Sequence, residues 1–167
     1  MLHNKGKLVA SWATALPGEH MAYNAAVAAV TAHRLGVTWK AISQAVETFE
    51  GLDRRMQRGG LGTFKGGQVV VVDDYGHHPT EIVTTLRALR QHYQPRQLVC
   101  VFQPHQHSRT LFLLEQFAAS FSEADQVIVP EIFFVRDSEQ ERHKVRAADL
   151  VDRLRQGGKK AMHLHPL

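Results

Sequence analysis

Two segments of the chain concentrate side chains able to bind and orient anions: Asp73-Asp74-Tyr75-Gly76-His77-His78-Pro79 and Gln103-Pro104-His105-Gln106-His107-Ser108-Arg109-Thr110. Each follows an apolar run, Val69-Val70-Val71-Val72 in the first case and Leu98-Val99-Cys100-Val101-Phe102 in the second. A shorter segment, Pro130-Glu131, follows Gln126-Val127-Ile128-Val129. Such runs read as buried strands. In an open parallel sheet, ligands bind where loops and helix N-termini converge beyond the carboxyl ends of the strands. All three loops are thus expected on one edge, with Tyr75, His77, His105 and Arg109 lining one cleft there.

Each residue also has a structural reading. Asp73 and Asp74 suit strand-end turns. Glu81, in the first turn of a helix opening at Pro79, suits the helix dipole whatever the function. Adjacent histidines rarely point the same way, so His77 and His78 are not expected to share a metal ion. Arg109 differs, because a cation at the opening of a helix opposes the dipole and calls for an anionic partner.

The elements that position these residues follow from periodicity. Lys7 to Ala13 suits a short strand, and Pro17-Gly18 turns into an alanine-rich helix from about His20 to Leu35, stopped by Gly36. A second helix over 39–49, capped by Thr38, places Trp39, Ile42, Val46 and Phe49 on one face. Leu61–Phe64 and Val69–Asp73 flank Lys65-Gly66-Gly67 as a hairpin. Helices over 79–93, 109–122 and 146–156 then alternate with strands near 98–102, 126–129 and 160–164, which implies parallel crossovers. The fold class expected is α/β, a Rossmann-like, mostly parallel sheet with helices on both faces, preceded by a helical hairpin. A domain boundary is placed near residue 53, giving units 1–52 and 53–167. Ending at His165-Pro166-Leu167, directly after a strand with no closing helix, suggests a truncated domain.

Composition narrows the classes. The net charge is +4, but no run of Lys and Arg is interleaved with aromatics, so no nucleic-acid partner is expected. No apolar run approaches the roughly 20 residues of a membrane span, and Met1-Leu2-His3-Asn4-Lys5 lacks the order of a signal peptide. A cytoplasmic site is the default. The single Cys100 excludes an internal disulfide.

The segment Val72-Asp73-Asp74-Tyr75-Gly76-His77-His78-Pro79-Thr80-Glu81, followed by Phe102-Gln103-Pro104-His105 and Ser108-Arg109-Thr110, resembles paired motifs of the Mur ligase family. Upstream, Leu16-Pro17-Gly18-Glu19-His20 with Asn24-Ala25, and Phe49-Glu50-Gly51-Leu52-Asp53-Arg54-Arg55, resemble two further family segments. Order and spacing agree over about residues 16–130. Met21 stands where the family usually has Asn, Glu19 where Arg is frequent, and Gln106-His107 where an Arg-aromatic pair is common.

The resemblance implies an ATP-dependent acid-amino-acid ligase of peptidoglycan synthesis that joins L-alanine to UDP-N-acetylmuramate through an acyl phosphate. Residues 1–52 would be the end of the central ATPase domain and 53–167 the amino-acid-binding C-terminal domain. The partners would be the N-terminal and central ligase domains, and the cofactors ATP and Mg2+, with magnesium held mainly by the missing part. It places Asn24 at the ATP base, Arg55 at the terminal phosphate and Asp74 at the ribose. Tyr75, His77, His105 and Arg109 would face the substrates, His77 and Arg109 nearest the chemistry; no metal ligand is assigned. No Gly-x-x-x-x-Gly-Lys-Ser/Thr loop is present, so this chain alone is expected to be inactive. Two other readings stay open: a noncatalytic nucleotide-binding or interaction module that keeps the fold, and a metal-dependent hydrolase built on Asp73, Asp74, His77 and His105.

Overall fold

The computed structural model describes residues 1–64 and 66–165; Lys65, expected in the hairpin turn, and Pro166-Leu167, at the end of the sheet domain, lie outside the described residues. The chain divides into two compact units between Tyr75 and Gly76. This division follows the hairpin of residues 57–73, whereas the sequence reading sets the domain boundary before it.

In the first unit, strands β1 (Leu2–Asn4) and β2 (Lys7–Ala10) pair antiparallel. Helices α1 (Glu19–Arg34) and α2 (Trp39–Glu47) follow. Gly36, at φ 96°, turns the chain between them in a conformation that favours glycine. Thr38 caps α2 by accepting from the Ala41 amide at 3.4 Å. Ile42 is buried in α2 and Ala29 in α1, while Tyr23, Leu35 and Phe49 remain exposed. Strands β3 (Gln57–Phe64) and β4 (Gly67–Asp73) complete the unit as an antiparallel pair.

The expected hairpin of Leu61–Phe64 with Val69–Asp73 forms, but β4 is neither buried nor part of the parallel sheet: β3 and β4 make a separate two-stranded sheet, and Val70 and Val71 are 37% and 57% exposed. The short connection at Gly66-Gly67 returns the chain antiparallel onto the strand just made, which commits one hydrogen-bonding edge locally.

The second unit runs α3 (Pro79–Tyr93), β5 (Val99–Val101), α4 (His107–Phe112), α5 (Leu114–Ala119), β6 (Gln126–Pro130), α6 (Glu139–Arg142), α7 (Ala147–Gln156) and β7 (Lys160–Leu164). Its sheet has the order β5-β6-β7, all parallel, so each crossover carries helices between neighbouring strands. Parallel strands with helical crossovers are the expected α/β architecture, although helices cover the face carrying Val127 and Val129 and not the face carrying Val99 and Val101. Val127, Val129, Phe117, Phe121, Leu150 and Leu154 are sealed in one core, joined by Ile82 and Leu86 of α3. The Phe102 ring lies 5.3 Å from the rings of Phe117 and Phe121. Each fully buried side chain of this kind contributes roughly 1.5–3 kcal/mol. The alternate residues Val99, Val101, Met162 and Leu164 are exposed. Cys100 packs against the core, and burial pushes its thiol up to about 12, which favours the protonated form.

The single helix read over 109–122 is broken into α4 and α5 at Leu113, whose backbone (φ −106°, ψ 15°) leaves the helical region. Hydrogen bonds from Leu113 N to Arg109 O (2.9 Å) and from Phe117 N to Leu113 O (2.8 Å) still bridge the break.

The amino edge of the sheet is tied by charge. Asp125 Oδ2 accepts from Leu98 N at 2.6 Å and from Arg90 Nη2 at 2.8 Å, and Asp125 N donates to Leu98 O at 2.9 Å. Lys159 Nζ donates to the carbonyls of Ser122 and Ala124 at 2.6 and 2.9 Å.

Candidate functional site

Beyond the carboxyl ends of β5 and β6, the two loops continue to pair. Phe133 N donates to Pro104 O at 2.8 Å and Gln106 N to Phe133 O at 3.1 Å, flanking an isolated parallel bridge between His105 and Phe133. The His105 and Phe133 rings lie 5.1 Å apart at 37°. Gln103 Nε2 donates to Glu131 O at 3.2 Å. Two of the three loops expected on one edge are thereby brought together.

Gln106 turns the chain into α4 with a left-handed backbone, φ 69°, and its side chain makes no cap bond. The orphan amides of that helix start find a distant partner instead. Asp137 accepts from the amide of His107 and, at 2.6 Å, from Ser108 Oγ. Its side chain is 1% exposed and lies 3.6 Å from His107 Nδ1. Burial pushes the Asp137 carboxyl up, but hydrogen bonds from the Ser108 hydroxyl and the His107 and Ser108 amides, with the His107 charge, outweigh it and hold the group below the usual carboxylate range. Sequence reading missed Asp137 altogether. The available signal was weak: an acid just before the Ser138 to Glu141 capping box, with no visible link to residue 107.

Arg109 lies one turn further on, half-buried. Because α4 spans only His107–Phe112, Arg109 also belongs to its last turn, where a cation is favourable. The helix dipole therefore does not call for an anionic partner at Arg109, contrary to expectation. His107 is buried with its ring 5.8 Å from that of Phe134.

Around the opening of α3, Glu81 accepts from the amides of His77 (2.9 Å) and His78 (3.1 Å), and His78 Nδ1 accepts from Thr80 N at 3.3 Å. Glu81 is thus structural, as read. The His78 ring belongs to the cap, while the His77 ring has its Nδ1 3.6 Å from Glu81.

In the first unit, the β3–β4 pairing extends past the strands. Tyr75 N donates to Arg54 O at 2.7 Å and Met56 N to Asp74 Oδ2 at 3.0 Å. These bonds bracket Arg55, whose guanidinium carbon stands 5.8 Å from the Tyr75 ring centre; that of Arg54 stands at 4.6 Å. Arg55, Asp74 and Tyr75, drawn from two separate motifs, are therefore neighbours. Asn24 sits exposed on α1.

A family model described as Mur ligase, glutamate ligase domain, matches residues 54–166. The UDP-N-acetylmuramate–L-alanine ligase of Desulfosudis oleivorans is 43% identical over 118 residues, covering 71% of this chain and 25% of the relative. The ligase of the same description from Caldanaerobacter subterraneus subsp. tengcongensis is 36% identical over 163 residues, covering 98% of this chain and 34% of that protein. Among solved structures, UDP-N-acetylmuramate-alanine ligase from Thermotoga maritima superposes with a TM-score of 0.76 at 25% identity, covering 96% of this chain and 33% of that one. The chain thus spans about a quarter to a third of the length of the relatives it matches.

Proposed function

The chain belongs to the Mur ligase family, and from that membership we propose that it supplies the C-terminal part of an ATP-dependent ligase joining L-alanine to UDP-N-acetylmuramate in peptidoglycan synthesis. The observation that carries the reading is alignment across 98% of the chain, at 36% identity, with a protein of that description. In this reading residues 1–52 close a central ATPase domain, residues 53–167 form the amino-acid-binding domain, and the enzyme works in the cytoplasm. No helix among the described residues is long and apolar enough to cross a membrane.

The residues present fit a nucleotide in chemical type. The backbone bonds that bracket Arg55 hold a guanidinium, a carboxylate and an aromatic ring on one short patch. We assign Arg55 to the terminal phosphate, Asp74 to the ribose hydroxyls and Asn24 to the base. ATP bound there with Mg2+ would supply the phosphoryl group that activates the acceptor carboxylate; Mg2+ has no assigned ligand in this chain. Arg109 binds the carboxylate of alanine through charge-assisted hydrogen bonds, and His105 orients the amino acid from the same loop. Tyr75 and His77 face the reacting centre and offer hydrogen bonds to the charge that develops there. The work of all four is positioning and charge stabilisation rather than nucleophilic attack.

The test joins this chain to the N-terminal two-thirds of a relative and measures phosphate release dependent on both UDP-N-acetylmuramate and L-alanine. Turnover supports the reading. A folded fusion that turns over a different amino acid, or binds nucleotide without turnover, sinks it in favour of another ligase specificity or a noncatalytic module.

A further inference from the structure

At the carboxyl ends of β6 and β7, Glu131, His163 and His165 each bring one ligand atom within 4.8 Å of the others. The strands dictate this meeting. Residues two apart along an extended segment project to the same side, so His163 and His165 set their rings together, with centroids 4.1 Å apart at 62°. Parallel pairing of Pro130 with Leu164 carries Glu131 to the same place, and the bond from Gln103 Nε2 to its carbonyl fixes its backbone.

His163 Nε2 is shut off from solvent and makes no hydrogen bond, although Glu131 Oε1 stands 2.9 Å away. Close approach without hydrogen-bond alignment suits a shared third centre better than a proton between the two. We propose that Glu131, His163 and His165 form a binding site for a divalent transition-metal ion, with Zn2+ the best match to their chemistry.

Two imidazoles and a carboxylate make a three-ligand set that leaves a fourth tetrahedral position open. Imidazole nitrogen favours Zn2+ and its neighbours over Mg2+ and Ca2+, which prefer all-oxygen shells. Excess Mg2+ should therefore not compete for this set of ligands. The Glu131 side chain is 50% exposed and His163 13% exposed, which gives the ion an entry path on one side and a supported ligand on the other.

The 167-residue chain is titrated with Zn2+ by calorimetry in excess Mg2+, and Co2+ is added separately to read its visible spectrum. One Zn2+ per chain is expected, undisturbed by Mg2+, together with the intense visible absorption of four-coordinate Co2+ and a rise in Tm with Zn2+. Glu131→Ala and His165→Ala, both at exposed positions, should each weaken binding by more than the roughly 10- to 100-fold lost with a supporting outer-shell group. His3→Ala and His92→Ala, which change exposed histidines elsewhere, should leave it unchanged. Absence of binding by the folded chain, or equal binding by Glu131→Ala, His165→Ala and the parent, overturns the proposal.

Discussion

Asp137 caps helix α4 from thirty residues away, accepting from the His107 amide and the Ser108 hydroxyl. The helix has no side-chain cap of its own, so the geometry of Arg109 rests on a residue outside its segment.

Replacing Asp137 with Ala should cost about 1–3 kcal/mol, the range for stranding buried donors, read as a lower midpoint in urea. Asn keeps an acceptor oxygen and should recover part of the loss. An Ala variant as stable as the parent would show that α4 does not depend on this cap.

Acid should weaken the same contact. The Asp137 carboxyl titrates below its ordinary value in the folded chain, so its contribution is fully present above an unfolded pKa of about 3.9. It disappears as pH falls through the lower folded value. Asp125 is depressed too, by the Leu98 amide first and the Arg90 hydrogen bond second, although its exposure makes its share smaller. The stability gap between the parent and Asp137→Asn should therefore be present above about pH 4 and close as pH falls below it. A gap that persists at pH 2 would contradict this assignment.

Phosphate release by the isolated 167-residue chain should be undetectable with ATP, UDP-N-acetylmuramate and L-alanine, because no phosphate loop is present to cradle ATP. In the fused enzyme, Arg109→Ala should reduce kcat/KM for alanine by about 10- to 100-fold, the size of a lost charge-assisted contact, mainly through KM. Unchanged KM for alanine would remove Arg109 from the amino-acid site.

The core predicts a simple contrast. Leu150 is fully buried, and Leu150→Ala should cost about 2–5 kcal/mol. Val101, 63% exposed on the opposite face of the sheet, should tolerate Ala within about 0.5 kcal/mol. Equal losses at both positions in thermal unfolding would mean that the outer face is covered in solution.

Much of this was legible in the sequence because local chemistry decided it. The Thr38 cap, the helix start at Pro79 with Glu81 in its first turn and the alternation of α3, β5, β6, α7 and β7 all follow from neighbours in the chain. The misreadings concern choices between distant partners. A run of valines between turn residues says that a hairpin strand will form, yet not whether it also joins the larger sheet, and β4 stays outside it. The break at Leu113 interrupts a continuous apolar periodicity, so spacing alone could not reveal it. Asp137, like the meeting of Glu131 with His163, depends on loops that only the folded sheet brings together.

The amino-edge clamp fixes strand alignment. A strand slips by steps of about 3.3 Å, and slippage is resisted when one face is apolar and the other polar. β5 reads Val-Cys-Val and β6 is apolar on both faces, so patterning offers little protection against a shift. Asp125, held by both Leu98 and Arg90, and Lys159, gripping the carbonyls of Ser122 and Ala124, index the three strands against one another like the fixed end of a slide rule. A single-step error at that end would carry His163 past Glu131 and His105 past Phe133 at the other. The groups that set the zero of the scale thus lie at the opposite end of the sheet from the groups whose spacing depends on it.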